Sequence, residues 1–297
     1  MTTVLARTLL VREVGDQSPT IVSCVDEYQV SRGVVQDSFA ILENSGCLKV
    51  ERHGKNGNII TQLDKNKLLQ YVNLNPMCAS MPVPLNDSLG SLATAVCRCM
   101  SNAPVPFTFA FIEGAANRVA ALRRMTYDFI FVSGMSAKMY VEQYPELEVA
   151  MVLNQCLYCN EYLLCINSSG ACVPHKGMTI GCDPSCSDQY RLTQQISDRY
   201  HLNMVNIPYM SCVDALLAQE VDVIIYRNDP WIAKHPEINT LPVEDKEYSL
   251  QDMTVPVILT NRQNYGISNL LNAFLCEEQL RIIQQLVMDH KMRPQYF

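Results

Sequence analysis

The sequence predicts an α/β protein in which a small N-terminal unit precedes a larger domain of two α/β lobes. Three observations predict this arrangement. The first 64 residues contain short amphipathic helix patterns followed by a hairpin pattern. From residue 76 onward, short apolar runs alternate with helical segments, which is typical of sheets covered by helices on both faces. The alternation starts afresh at Met178, which favours two lobes over one sheet.

Composition limits the classes of function. The chain has 297 residues, more than one ordinary core accommodates. Its net charge of −7 argues against broad affinity for nucleic acid, and residues 1–64 carry six Lys or Arg against eight Asp or Glu. No apolar run reaches the roughly 18 residues of a membrane span. VLARTLLV at the N-terminus lacks the features of a signal peptide. We therefore expect a cytoplasmic protein without membrane contacts.

The 13 cysteines are interpreted as reduced thiols, most of them small buried hydrophobic residues. Two spacings have the form of metal ligands, Cys156-x-x-Cys159 and Cys182 with Cys186. Neither is accompanied by a second CxxC or by a histidine at zinc-finger spacing. The sequence therefore predicts neither a metal site nor a cofactor.

Two short helices are predicted before residue 30. The first is expected to end near Gly15, with an apolar face of Leu5, Leu9, Leu10 and Val14. The second is predicted over residues 21–28, with Thr20 as its cap and with Val25 and Tyr28 buried. Residues 29 and 30 then leave only a tight turn before the next helix.

A third helix is predicted from Ser31 to just before Gly46, and it organises this domain. Its buried face is marked by helical spacing at Val35, Ser38, Phe39 and Leu42. Arg32, Val34 and Gln36 lie on the opposite face, and Arg and Gln side chains pair well with guanine and adenine in the major groove. Taken alone, the stretch also fits an ordinary surface helix. The tight turn between the second and third helices has the length found in helix-turn-helix motifs. In such motifs the helix after the turn contacts the bases, and we call it the reader.

The pattern changes to strands after Gly46. CLKVER and NIITQL are predicted to pair as a hairpin, with Gly54 and Gly57 in the turn. Such a hairpin would be the wing of a winged helix-turn-helix, although charged hairpin tips are often merely solvated. The pattern as a whole predicts binding to double-stranded DNA through Ser31, Arg32, Val34, Gln36, Arg52, His53, Lys55 and Asn58.

Residues 5–62 resemble the winged-helix domain of GntR-type bacterial transcriptional repressors. The resemblance rests on the Pro-Thr opening of helix two and on the segments VSRGVVQD, LENSG and RHGKNGNI. It implies that the reader residues and the wing tip face DNA. The sequence departs from the pattern at Gln29, where Gly is usual, at Gln36, where Arg is common, and at Asn58-Ile59, where Thr-Phe is common.

The larger domain is predicted over residues 76–297, with residues 65–75 as a short helix or a tether. Its sheets are expected to be mainly parallel, and MTVPVILTNR is expected to return the chain to the first lobe. The order of elements over residues 80–290 resembles the type 2 periplasmic-binding-protein architecture. AFIEGAANRVAAL, GCDPSCSDQ, VDVIIYRND and MRPQY also resemble segments of YhfZ-type regulators, which join a winged helix to a domain of this architecture.

Ligands of open α/β lobes bind beyond the carboxyl ends of strands, and anions favour helix N-termini. Hydroxyl-rich helix starts together with an arginine suit a carboxylate or a phosphate. The expected partner is therefore a small polar effector, with anions among the candidates. An alternative is that these Ser and Asp residues serve only as helix caps. The candidate ligand-binding residues are Ser133, Gly134, Ser136, Asp183, Ser185, Ser187, Tyr209, Arg227, Asn228 and Asp229.

Catalytic motifs are missing from the sequence: it contains no P-loop, GxGxxG or HExxH, and no nucleophile–base arrangement is evident. Asp183 with Asp188, or Glu161 with Asp229, would form an acid–base pair only if the fold brought them together. The sequence therefore predicts a homodimeric DNA-binding transcriptional regulator rather than an enzyme. The alternative is a small-molecule-binding protein or enzyme of the periplasmic-binding fold with vestigial DNA binding.

Overall fold

The structure is a computed structural model that describes residues 1–52, 57–74, 76–167 and 171–295. It contains a helix-turn-helix with a two-stranded hairpin, followed by two five-stranded sheets. The predicted fold class is confirmed: mixed α/β, with an N-terminal helix-turn-helix domain and a two-lobed C-terminal domain. Within these ranges, no helix is both long enough and apolar enough to cross a membrane.

The N-terminal domain consists of α1 (Thr2–Leu10), α2 (Ile21–Tyr28), α3 (Arg32–Asn44), β1 (Leu48–Arg52) and β2 (Asn58–Leu63). Its core joins Leu5 and Leu9 of α1 to Val35 and Leu42 of α3, all of them buried. The helical spacing of these apolar residues is what closes the core.

The first helix is shorter than the sequence suggested. The expectation that it continues to near Gly15 was wrong, because it ends at Leu10 and Val14 is 59% exposed. The chain turns here because the Gly15 N–H donates to the Ile60 carbonyl at 2.9 Å, which draws the segment onto the hairpin. Gly15 has a φ of +101°, a conformation that a residue with a Cβ rarely adopts.

The segment between the domains is packed, not a free tether. It contains α4 (Lys65–Leu68), and both Leu68 and Val72 are buried. The Val72 carbonyl accepts a bond of 2.9 Å from Nε of Arg7 in α1. The predicted domain limits at residues 64 and 75 remain predictions.

Arg7 also joins the helix-turn-helix to the far end of the chain. Its Nη1 donates to Oδ1 of Asn264 and to the carbonyl of Tyr265, each at 2.7 Å. The Tyr265 ring in turn meets the Tyr28 ring edge-on, with centroids 5.7 Å apart. The first helix of the N-terminal domain is thereby packed against the larger domain.

The first lobe is built around a sheet of strand order β4-β3-β5-β12-β6. Its elements before the first crossing are β3 (Met77–Met81), α5 (Asp87–Met100), β4 (Phe107–Phe111), α6 (Ala115–Arg123), β5 (Phe129–Ser133), α7 (Gly134–Gln143) and β6 (Leu147–Val152). Strand β3 lies inside the sheet, between β4 and β5, yet its sequence, MCASM, lies in a proline-rich stretch and was not among the predicted strands.

The second lobe is a sheet of order β11-β7-β10-β8-β9. Its elements are β7 (Tyr162–Ile166), β8 (Thr179–Cys182), α8 (Ser187–Tyr200), β9 (Asn203–Asn206), α9 (Cys212–Leu217), β10 (Val223–Arg227) and β11 (Asn239–Pro242). A 3-10 turn at Tyr209–Ser211 precedes α9.

The chain then returns to the first lobe, as predicted. The returning elements are α10 (Leu250–Thr254), β12 (Pro256–Asn261), α11 (Ile267–Phe274) and α12 (Glu277–Met288). Strand β12 lies between β5 and β6 and is antiparallel to both, and β7 is antiparallel to β10 and β11. Four of the five strands in each sheet nevertheless run in the same direction, so the expectation of mainly parallel sheets is confirmed. In each sheet as described, the reversed strand is the one that follows a crossing between the lobes, which needs no crossover helix.

Candidate functional site

The N-terminal turn of α3 is uncovered. Oγ of Ser31 caps the helix by accepting a bond from the Val34 N–H at 3.4 Å. Arg32 and Gln36 are exposed, and Val34 is 45% exposed. In the described part of the chain, Arg32 has no hydrogen-bond or ion-pair partner. This turn therefore presents a polar surface that no part of the described chain covers.

The turn before α3 bends through Gln29. This residue has φ 52° and ψ 43°, the left-handed conformation that favours glycine. The capping box between Thr20 and Ser23 fixes the start of α2 on the other side. The departure noted at Gln29 is thus accommodated in the turn, at the cost of local backbone strain.

The hairpin has the expected pairing. Strands β1 and β2 are antiparallel, with Arg52 opposite Asn58, and the Asn58 carbonyl accepts the Ser18 N–H at 2.8 Å. The predicted wing-tip residues His53 and Lys55 lie outside the described residues, as does the side chain of Arg52.

A second candidate site lies between the two lobes. It is a narrow cavity of about 30 Å³, with room for only a few atoms between the lobes as they stand. Several of its walls come from the ends of strands and the starts of helices, where the sequence predicted a ligand. The lining residues are Pro82, Glu113, Ala115, Arg118, Ser136, Tyr158, Tyr162, Cys186, Ser187, Asp188, Gln189, Tyr209 and Arg227.

Direct hydrogen bonds hold the lobes together around this cavity. Oγ of Ser136 donates to Oδ1 of Asp188 at 2.6 Å. The hydroxyls of Tyr140 and Ser187 are 2.5 Å apart. A backbone bond of 3.0 Å adds to them, from the Ala116 N–H to the carbonyl at 185. The helix starts predicted to bind a ligand therefore also form the contact between the lobes.

Two arginines line this cavity, and they differ in how many hydrogen bonds they make to the protein. Nε, Nη1 and Nη2 of Arg118 donate to the Phe131 carbonyl, the Ile112 carbonyl and the Tyr158 hydroxyl, at 3.1, 2.7 and 3.1 Å. Arg227 has a single such bond, from Nε to the Tyr209 hydroxyl at 3.0 Å. Arg118 is thus held by the protein, whereas the terminal nitrogens of Arg227 keep their donors for other acceptors.

Two carboxylates complete the charged lining. Burial raises the pKa of Asp188, against the opposing effects of hydrogen bonds from Ser133 and Ser136 and of the two arginines. Glu113 follows β4, and its Oε2 atom is buried without a hydrogen-bond partner among the described residues. Its Oε1 atom lies 3.6 Å from the Cys186 thiol, a weak donor.

Four of the ten predicted ligand-binding residues line the cavity: Ser136, Ser187, Tyr209 and Arg227. Asp183 and Ser185 line a neighbouring opening, where Oδ2 of Asp183 accepts the Tyr209 N–H at 2.8 Å.

The other four predicted residues have structural partners outside the cavity. Ser133 caps α7. Gly134 packs so closely against Val255 and the Asp252 carbonyl that a Cβ would clash with both. Asn228 is exposed and donates to Glu161, and Asp229 accepts from Asn86 across the lobes.

Sequence reasoning missed Glu113, Arg118, Tyr158 and Tyr162 of the lining. Arg118 could have been identified from the sequence, because it lies with Ala115, Val119 and Leu122 on the apolar face of α6. A charged residue on a buried face usually has a specific partner. Glu113 lies just past the end of a predicted strand, so the rule applied elsewhere would have included it. The two tyrosines, at the first crossing and on β7, carried no such signal.

The CxxC thiols are poor metal ligands. Burial raises the pKa of Cys156 and of Cys159 to about 12, so both thiols hold their protons at neutral pH. Over the described ranges, no group of three or more His, Cys, Asp or Glu side chains is placed to hold a metal ion.

Together these features define a helix-turn-helix protein whose second domain has a periplasmic-binding-protein-like fold. A family model described as the YhfZ C-terminal domain matches residues 64–296, and a helix-turn-helix domain model matches residues 13–60. The chain belongs to the YhfZ family.

Known relatives agree with this assignment. The uncharacterized protein YhfZ of Escherichia coli (strain K12) is 29% identical over 300 residues, which cover 99% of this chain and 96% of that protein. The crystal structure of YhfZ from Shigella flexneri matches with a TM-score of 0.63 at 24% identity, over 78% of this chain and 97% of the other. An ancestral arginine-binding protein bound to arginine matches with a TM-score of 0.53 at 10% identity, over 73% and 97%. These structural likenesses show the fold alone.

Proposed function

We propose that the protein is a cytoplasmic, homodimeric transcriptional regulator with a GntR-like winged reader, and that its interlobe cleft senses a small polar metabolite. The observation that carries this proposal is the uncovered first turn of α3. Ser31 caps it, Arg32 and Gln36 face solvent, and the other face of the helix is buried. The helix-turn-helix family match supports DNA as the partner of this surface.

The expected mode of DNA binding follows from the reader. Arg32 would pair with a guanine and Gln36 with an adenine in the major groove, and Ser31 would contact a phosphate. A dimer would place two such helices in successive major grooves, about 34 Å apart, on a near-palindromic site. Because the domain is not basic overall, affinity has to come from these placed contacts rather than from general charge.

The sensing role is supported by Arg227. A guanidinium that is buried while its terminal nitrogens lack acceptors favours a ligand with an anionic group. An arginine-binding protein and the alkanesulfonate-binding protein SsuA of Xanthomonas axonopodis pv. citri share the fold, which supports binding of small polar molecules between the lobes. A purely sensory role, without catalysis, is supported by the separate partners of Asp183, Glu161 and Asp229.

The contact of Arg7 offers a route from cleft to reader. Asn264 and Tyr265 follow β12, and β12 follows the crossing from the second lobe. A ligand that changes the angle between the lobes would act on both ends of this strand. It would regulate DNA binding only to the extent that it binds the two states with different affinity.

The test is a genomic pull-down with the purified full-length protein at a stated, moderate salt concentration. We expect one or a few sites with inverted half-sites, and we expect Arg32→Ala to lose them. Arg199→Ala removes the same charge from an exposed position on α8 and is the matched control. If the folded wild-type protein recovered no specific site, the regulator proposal would fail and the alternative, a ligand-binding protein with vestigial DNA binding, would be preferred.

A further inference from the structure

We propose that the metabolite of the interlobe cleft is a small zwitterion, with a carboxylate at one end and an ammonium group at the other. An α-amino acid with a short side chain has this form. The inference rests on the proposed function, because it names the class of ligand for the same cleft. It is carried by two groups of opposite charge that line one cavity, Arg227 and Glu113, each of which keeps polar atoms without a hydrogen-bond partner in the described chain.

The first group is the guanidinium of Arg227. Only 4% of the residue is exposed. The ring of Tyr226 stacks on that of Tyr209 at 4.6 Å, and the Tyr209 hydroxyl accepts Nε of Arg227, so the guanidinium is held in one orientation. Its terminal nitrogens have no acceptor among the described residues. A carboxylate accepts two such N–H donors at once.

The second group is the carboxylate of Glu113. Its Oε2 atom is buried and has no donor in the described chain. Leaving a charged oxygen in that state is costly, and the other oxygen accepts only a weak bond from the Cys186 thiol, at 3.6 Å. An ammonium group supplies up to three N–H donors of opposite charge.

The remaining charges of the cavity are already engaged with the protein. Arg118 donates from all three of its nitrogens, and Asp188 accepts from Ser136. Two arginines and two carboxylates sum to zero formal charge. A net-neutral ligand preserves this balance, whereas a simple anion would add an uncompensated charge to a buried site.

The small volume of the cavity favours a small ligand. The cavity measures about 30 Å³, and Ala115, Tyr158 and Tyr162 are among its walls. A ligand therefore has to part the lobes against the bond between Ser136 and Asp188. Each further atom of a side chain has to part them more, which favours the smallest zwitterions.

The experiment is isothermal titration calorimetry on the full-length protein. The zwitterions are glycine, alanine and serine. Glycolate and acetate provide the carboxylate without the ammonium group, ethylamine provides the ammonium group alone, and inorganic phosphate and sulfate provide other anions. We expect at least one zwitterion to bind, and removal of either charged end to weaken binding about 10- to 100-fold.

The matched variants are Glu113→Gln and Glu220→Gln, the second at an exposed position after α9. We expect the first to weaken binding of the zwitterion about 10- to 100-fold and to leave the weak binding of glycolate unchanged, and the second to change neither. A circular dichroism melt of each variant checks that it is folded.

Two results would contradict the proposal that the ligand is a zwitterion. Glycolate or phosphate binding as tightly as glycine, with no loss in Glu113→Gln, would leave a regulator that senses an anion. Failure of every probe to bind would remove the proposed ligand class as well, while the genomic pull-down would still decide independently whether the chain binds specific DNA.

Discussion

Helix α3 and the interlobe cleft differ in how exposed their candidate functional side chains are. On α3, Arg32 and Gln36 stand in solvent and the chain beneath them is packed by other residues. In the cleft, Arg118 and Arg227 are 2% and 4% exposed. Removal of the Arg32 side chain should therefore change binding without changing stability, whereas removal of an arginine side chain in the cleft should change both.

Within the cleft, the two buried arginines differ in how many of their donors the protein uses. Arg118 satisfies three protein acceptors, and Arg227 satisfies one. Burial alone therefore does not separate a structural arginine from a ligand-binding one. We expect the number of donors that the protein leaves unused to separate them.

The largest loss of stability is expected for Arg118→Ala. The change leaves two carbonyls and a tyrosine hydroxyl without their donors in a buried place, so the free energy of unfolding should fall by about 3–5 kcal/mol. Urea denaturation followed by circular dichroism measures this. A loss below about 1 kcal/mol would contradict the structural role of Arg118.

Arg227→Ala should cost less stability and more function. It removes one hydrogen bond, so we expect a loss of about 1–3 kcal/mol in the same urea experiment, together with complete loss of ligand-induced stabilisation. Specific DNA binding in the absence of ligand should persist. The comparison between the two arginines breaks down if their losses of stability are equal or if this variant still responds to ligand.

Arg32→Ala should affect DNA affinity alone. If Arg32 reads a base, the loss is about 1–3 kcal/mol of binding free energy, measured by fluorescence anisotropy on the recovered site. The free energy of unfolding should stay within about 0.5 kcal/mol of wild type, because the side chain is exposed. Unchanged affinity would remove Arg32 from the reader.

Gln29→Gly should stabilise the helix-turn-helix by about 0.5–1 kcal/mol, because glycine adopts the observed φ of 52° without strain. Amide hydrogen exchange in α2 and α3 reports this locally. Gln36→Gly is the matched control, and it should destabilise by about 1 kcal/mol because it places glycine inside a helix. Changes of the same sign in both variants would argue against strain at the turn.

The smallest change in stability is expected from Asp188→Asn, because burial raises the pKa of that carboxyl while hydrogen bonds and the two arginines lower it. Burial raises its pKa, so the folded state holds the proton more tightly than the unfolded state. The protonated Asp188 side chain therefore stabilises the fold fully below the ordinary pKa of 3.8, and this contribution is lost as pH rises through the raised pKa. The variant should therefore match wild type near pH 4 and melt at a higher temperature at pH 7. A gap that widens toward acid pH would reverse this assignment.

Much of the fold could be predicted because its signals are local. The spacing of Val35, Ser38 and Leu42 specifies the buried face of α3, and glycines flank the hairpin. The failures have equally specific causes. Strand β3 is too short and too proline-flanked to stand out, and the reversed strands depend on where the chain crosses between the lobes, which local patterns do not record.

The candidate cleft could be predicted only in part. Arg227, Ser136 and Ser187 were found because they end strands or open helices, which is a property of the sequence pattern. The same rule also selected Gly134 and Asn228, which the structure places outside the cavity. A strand end says where a ligand site tends to lie, but it does not say which way each side chain faces.

The sequence by itself therefore determined the helix-turn-helix, its capped third helix and the two alternating lobes, because each depends on residues a few positions apart. Only the tertiary structure decided which charges meet. Glu113, Asp188 and Arg227 come from three separate elements and share one cavity once the lobes close. Arg7 likewise finds Asn264, 257 residues away. Such partners are selected by burial, where an unsatisfied charge is costly, and burial is a property of the assembled fold.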